Sequence, residues 1–236
     1  MASTPEIPSA VVAVDWSGAR AASAQRTAIC VAIARGERVE PTAGRTRIET
    51  IELIEQLPPP VVVGFDFSFA FPAWFARAHR CATIDEVWAR AARDGETWLR
   101  PTPPFWRDRC VLPVEQRLRR CELALAPAKS VFQLVGNGQV GAGSVRGMPL
   151  LARLRASGFA IWPFDAAGAR TVVEIYPSRL RRLAPPDLTV RAWTSLHERD
   201  AVESARVMWN HRASFAGLAA ATDPVTSIEG DVWMPA

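Results

Sequence analysis

The chain has 236 residues, 49% of them apolar and 22% charged, with a net charge of +4. That composition excludes a disordered polymer and is long enough for one large domain with a substantial core. No apolar run approaches the roughly 20 residues of a membrane helix.

Met1 to Ser9 lacks the basic start and apolar stretch of a signal peptide, so a cytoplasmic, soluble protein without a membrane partner is expected. Cys30, Cys81, Cys110 and Cys121 stand far apart with no Cys-x-x-Cys pair. They suit reduced, mostly buried thiols better than a zinc site or a disulfide framework. Lys129 is the only lysine. The mild positive balance permits nucleic acid as a partner without requiring it.

In chain order, Ala10 to Asp15 reads as a buried strand, Trp16 to Arg20 as a turn and Arg26 to Arg35 as a second strand. Arg38 to Pro41 is a candidate third, and such short spacings favour antiparallel neighbours. Thr46 to Leu57 carries helical spacing at Ile48, Ile51 and Ile54, and Pro58-Pro59-Pro60 stops it. Val61 to Phe67 is apolar throughout, as in a central strand covered on both faces. Phe71 to about Arg93 reads as helix in two pieces, 94–113 as loop, and Glu115 to Leu125 as helix.

The region 72–147 is too long for a simple connection and predicts an insertion or cap on a single domain spanning 1–236. A helix is expected over Met148 to Ala156, strands near Phe159 to Trp162 and over Thr171 to Tyr176, and helices over about 189–209 and 211–221. The order predicts an α/β sandwich with a mixed sheet.

Four acidic residues fall at element boundaries: Asp15, Asp66, Glu174 and Asp200. A carboxylate adjoining a buried strand is costly unless it is paired or holds a metal. Hard divalent cations choose oxygen ligands, and Mg²⁺ takes few carboxylates while keeping water. Phosphodiester cleavage needs such an ion because the attacked group is already anionic.

The stretches Val14-Asp15-Trp16-Ser17-Gly18, Gly64-Phe65-Asp66-Phe67-Ser68-Phe69-Ala70-Phe71-Pro72 and Lys129-Ser130-Val131-Phe132-Gln133 resemble the uncharacterised domain family numbered 429. So do Val140-Gly141, Gly147-Met148, Glu174-Ile175-Tyr176-Pro177-Ser178, Asp200-Ala201 and Glu229-Gly230. The resemblance runs from about Val11 to the end of the chain. Members of that family are described as predicted nucleases with an RNase H-like fold. The resemblance therefore implies an RNase H-like mixed sheet with helices on both faces, and a metal-dependent nuclease using Mg²⁺ or Mn²⁺. It matches Asp15 to the first-strand carboxylate, Asp66 to the second and Asp200 to the late-helix carboxylate. Glu174 is a further ligand or an anchor behind the ligands, and all four acids are candidate catalytic residues.

His197, one turn before Asp200 on the same helical face, is a candidate ligand or proton carrier. Glu203 shares that face. Lys129, Ser17 and Arg107 are candidate substrate contacts, and the loop Phe105-Trp106-Arg107 can stack on bases. Structural alternatives stand beside each reading. Asp15 and Asp66 can cap turns, Glu174 can pair with an arginine, and Asp200 can pair with Arg199 or Arg206. The clusters Arg117 to Arg120 and Arg179 to Arg182 can contact phosphate or form solvated helix faces. The glycines at 136–143 can approach a phosphate or simply form a turn. Two other functions compete: a phosphotransferase of the actin and sugar-kinase type, and a non-catalytic nucleic-acid-binding or scaffold protein. Carboxylates each neutralised by arginine would favour the last.

Overall fold

A computed structural model describes residues 6–100, 102–125, 127–135, 140–185 and 192–235. Strands β1 (Ala10–Asp15), β2 (Cys30–Arg35) and β3 (Arg38–Ala43) form an antiparallel meander, with helix α1 (Ala22–Ala28) between the first two. Helix α2 (Arg47–Glu55) leads to β4 (Val61–Phe65), which pairs parallel with β1. Then come α3 (Ala73–Ala78), α4 (Ile84–Trp98), α5 (Val114–Arg117), α6 (Arg120–Ala124) and α7 (Val140–Ala156). The chain returns to the sheet in β5 (Ala160–Ile161) and β6 (Arg170–Glu174), both parallel additions, giving the order β3-β2-β1-β4-β6-β5. Helices α8 (Pro177–Leu180), α9 (Leu196–Asn210) and α10 (Thr226–Glu229) follow, with 3-10 turns at Arg181–Leu183 and Arg212–Gly217.

Strand alternation divides the core. Val12, Val14, Val63, Phe65 and Val172 face a layer that includes Ile51, Ile54, Trp88 and Leu151. Val11, Ala13, Val62 and Val173 face Ala201, Val202, Ala205 and Met208 of α9. Both faces are covered, which is why β1 and β4 are apolar at every position up to their ends. The result is an α/β fold with a six-stranded mixed sheet and helices on both faces.

Several boundaries differ from expectation. Arg26 to Ala28 belong to α1, not to a strand, and the chain turns extended only at Ile29, whose N–H bonds Gln25 O at 2.8 Å. β4 stops at Phe65, one position from where its partner β1 runs out. The Asp66 N–H still reaches Val14 O at 3.2 Å, and Phe67 lies beyond the sheet. α4 is capped by Thr83 and Glu86 in a reciprocal box and continues to Trp98, past the expected end at Arg93. The helix expected over Glu115 to Leu125 is split at an extended Leu118, which turns Arg119 inward. β6 ends at Glu174 because Tyr176 begins the turn into α8 and Pro177 takes its first position.

The largest difference is α7, which starts eight residues before the expected Met148 and takes Gly141, Gly143 and Gly147 into its first turns. A Cβ at Gly141 would stand 2.7 Å from Val131 O, and one at Gly147 would stand 2.6 Å from the Phe67 ring. These glycines therefore serve close packing and not a mobile loop. Gly136 and Gly138 lie outside the described residues, as does the expected helical stretch 189–191. The second C-terminal helix, expected over 211–221, is only the 3-10 turn Arg212–Gly217.

Candidate active site

β1 and β4 run side by side with Val14 opposite Phe65, so Asp15 and Asp66 are the next pair at their C-terminal ends. Val11 and Ala13 face α9, and alternation puts Asp15 on the same side. Val62 faces α9 too, and a Cβ on Gly64 would meet Met208 of that helix, so the alternation carries Asp66 to that side. The first turn of α9 then brings His197 and Asp200 over this end of the sheet, on one helical face as their spacing predicts.

His197 Nδ1 lies 2.6 Å from Asp15 Oδ2. Asp15 is buried, whereas the imidazole remains 45% exposed, which leaves part of the ring open to solvent. The hydrogen bond to Asp15 raises the His197 pKa above its ordinary value against the opposing effect of burial. Burial raises the Asp15 carboxyl, the His197 contact pulls it back, and the Asp200 charge adds to the rise. Asp200 forms an ion pair with Arg181 from the 3-10 turn after α8. Arg181 also bonds Glu203 at 3.1 Å, and Arg199 bonds Glu203 at 2.9 Å, so Glu203 is buried between two guanidinium groups.

Asp66 differs from all of these. Its side chain has no hydrogen-bond or ion-pair partner among the described residues. Burial raises its pKa well above the ordinary range, and the charges of Asp15, Asp200 and Glu174 push it further. It lines a small pocket of about 30 Å³ with Ser68, Glu174, Lys129 and Tyr176, room for a water or two.

Glu174 sits opposite Phe65 and therefore points to the other face of the sheet from Val173. There it meets Arg119, which is fully buried. The Arg119 guanidinium donates Nη1 to Glu174 Oε2 at 2.9 Å and Nη2 to Glu174 Oε1. Arg119 Nε donates to Glu122 Oε1 at 2.9 Å, and Nη1 also reaches Glu229 O at 3.0 Å. Phe69 N–H completes the Glu174 carboxylate at 2.8 Å, and Ser68 Oγ binds Glu122 at 3.1 Å. Glu229 accepts the N–H groups of Ala73 and Arg120, both at 2.7 Å. In the Arg117 to Arg120 cluster Arg120 is exposed and Arg117 half-buried. Arg119, the second of its three arginines, is the hub of a buried network that the sequence reading missed.

The candidate substrate contacts scatter. Ser17 is buried and its Oγ accepts Ala19 N–H at 3.1 Å. Lys129 is exposed on the rim of the Asp66 pocket, and its backbone N–H meets Tyr176 Oη at 3.3 Å. Ser130 donates to Arg117 O at 2.5 Å and accepts Phe132 N–H at 3.1 Å, so its hydroxyl is committed to the backbone. Phe105 is buried against Phe71, Phe75 and Phe132, so it anchors its loop and is not a base-stacking platform. Arg107 is exposed and lies on a different cleft.

The four boundary acids therefore separate. Asp15, Asp66 and Asp200 interact electrostatically on the α9 side, and Glu174 is held by Arg119. No group of three or more His, Cys, Asp or Glu side chains among the described residues is arranged to hold a metal ion. The donor chemistry nevertheless suits a hard cation: three carboxylates, one of them partly buried and without a compensating charge. Among the described residues no helix is long and apolar enough to cross a membrane. In comparison with known proteins, no family model, curated protein or solved structure matches the chain.

Proposed function

We propose that the chain is a metal-dependent nuclease of RNase H-like fold, acting at the C-terminal ends of β1 and β4. The observation that carries this reading is Asp66, an uncompensated carboxylate facing two more acids. Such a group is expensive to keep in a protein that never brings a cation to it. The antiparallel meander followed by parallel β4 and β6 supports the RNase H-like assignment.

Asp15, Asp66 and Asp200 would hold Mg²⁺ or Mn²⁺, which supplies charge neutralisation at the phosphate and an acidified water. Asp15 meanwhile fixes the His197 ring through Nδ1, leaving Nε2 to carry a proton to or from the reacting oxygens. Cation uptake competes with the His197 contact at Asp15 and with Arg181 at Asp200. Binding is therefore expected to strengthen as pH rises and the carboxyls lose their protons.

The Arg181 pair favours a second reading, a nucleic-acid-binding protein without catalysis, because it neutralises one of the three acids. For the phosphotransferase reading, Gly141 and Gly143 of the glycine stretch lie inside α7, while Gly136 and Gly138 lie outside the described residues.

Thermal unfolding with and without Mn²⁺, alongside oligonucleotide cleavage, tests the proposal. Saturation at about 100 times Kd adds about 2.7 kcal/mol to wild-type stability. Asp66→Asn should lose both that gain and any cleavage while remaining folded. A wild-type protein that Mn²⁺ does not stabilise sinks the metal-dependent reading and leaves the non-catalytic one.

A further inference from the structure

A second cleft opens on the other side of the 17–20 loop, where that loop meets the end of α4 and the start of α7. It measures about 610 Å³, and arginines 20, 100, 107 and 146 line it against a single acid, Glu96. Glu96 is already satisfied by Arg146, through contacts of 2.7 and 2.9 Å. Arg146 also donates to Gly18 O. Behind it, Arg47 Nη1 donates to the carbonyls of Ser17 at 3.0 Å and Ala19 at 2.6 Å. The guanidinium groups of Arg20, Arg100 and Arg107 are exposed and have no hydrogen-bond or ion-pair partner among the described residues.

We propose that this cleft binds the phosphate backbone of a nucleic-acid strand, an inference that rests on the nuclease reading and extends it to how substrate is held. The three free guanidiniums come from three segments: the loop after β1, the residue beyond α4, and the 102–109 loop. A ligand with repeated charges meets all three, whereas one phosphate does not. The planar fork of arginine matches phosphate oxygens in pairs. Burial and, after it, the nearby Arg146 charge push the Arg47 guanidinium down to about 10, and a bound polyanion would offset the charge part of that shift.

The cleft and the carboxylates share one loop. Gly18 lines the cleft and lies three residues after Asp15, so their Cα atoms are at most about 11 Å apart. A strand lying across the arginines is thereby brought close to the ends of β1 and β4.

The test is fluorescence anisotropy with a short fluorescein-labelled oligothymidylate and the full chain in EDTA, so that no cleavage enters the readout. The triple variant Arg20→Gln/Arg100→Gln/Arg107→Gln should bind at least about tenfold more weakly. Its slope of log affinity against log salt should be shallower by roughly 2, at about 0.7 per phosphate contact on a single strand. Arg38→Gln, on the far sheet edge, should bind as wild type does. The proposal falls if the wild type does not bind the oligonucleotide or if the triple variant binds it equally well. It also falls if inorganic phosphate or a polyglutamate peptide competes as strongly as unlabelled oligonucleotide at equal charge. Binding that follows these expectations with no Mn²⁺-dependent cleavage removes the nuclease reading and leaves the cleft.

Discussion

The Arg119 network and the Asp15–Asp66–Asp200 cluster both gather carboxylates near the ends of the parallel strands, but they treat charge in opposite ways. Around Arg119, each acid finds guanidinium or backbone N–H donors, and the hub is wholly buried. On the α9 side, Asp66 has no partner among the described residues, and burial, joined by its acidic neighbours, raises its pKa. One residue of strand alternation separates the two outcomes. The contrast distinguishes acids that hold the fold together from acids that the fold keeps available.

The comparison breaks most sharply at Arg119. Arg119→Met strips Glu174 and Glu122 of their shared cation inside the protein. Breaking a buried pair from one side costs about 3–5 kcal/mol, to be read by urea unfolding. A near-neutral result would show that the network is no more structural than the open cluster. Gly18→Ala comes next. Its new Cβ would stand 2.5 Å from Gly143 N and 2.6 Å from the Ala142 carbonyl carbon, a backbone clash with a cost of about 1–3 kcal/mol.

Asp66→Asn should act with the opposite sign. Removing a repelled carboxylate stabilises the metal-free chain by about 1–2 kcal/mol, or roughly 2–8 °C in Tm for a domain of this size. Its pH dependence sharpens the point. The folded-state pKa lies above the ordinary 3.8, so the folded chain keeps this proton longer than the unfolded one. Stability should therefore fall as pH rises from the ordinary aspartate range through the raised value. The variant's profile should lack that fall.

The smallest effect is expected at His197→Gln. The folded-state pKa of His197 is raised above 6.5, chiefly by the Asp15 hydrogen bond. Its contribution is fully present below pH 6.5 and disappears as pH rises through the folded value. With the ring nearly half exposed, the loss on substitution is about 0.5–1 kcal/mol at low pH after solvent screening. A loss that persisted unchanged at high pH would mean packing and not charge holds the imidazole.

Much of the scaffold was legible because β1 and β4 are unbroken apolar runs, each closed by an aspartate. That pattern requires a strand covered on both faces and sets an acid at the point where the cover ends. The pairing of His197 and Asp200 on one face followed from helical spacing alone. The alternatives for Glu174, ligand, anchor or arginine partner, stayed open in the sequence because its face depends on the register with Phe65, which only the folded sheet fixes. Arg119 was hidden beside two other arginines, Arg117 and Arg120, in a short stretch where solvent exposure is the natural expectation. The glycines of α7 suggested a loop until the groups they pack against, Val131, Gln133 and Phe67, were in place.

The margins of the sheet carry one more consequence. On one side β3 alternates exposed charges, Arg38 and Glu40, with Pro41 in register with Ala32, so its outer rim lacks an N–H at that point. On the other side β5 is only two residues long. Neither rim offers a run of backbone donors and acceptors for another chain to continue. Self-association by sheet extension, and the aggregation it seeds, is disfavoured at both edges, which leaves the helical faces as the better surface for any assembly.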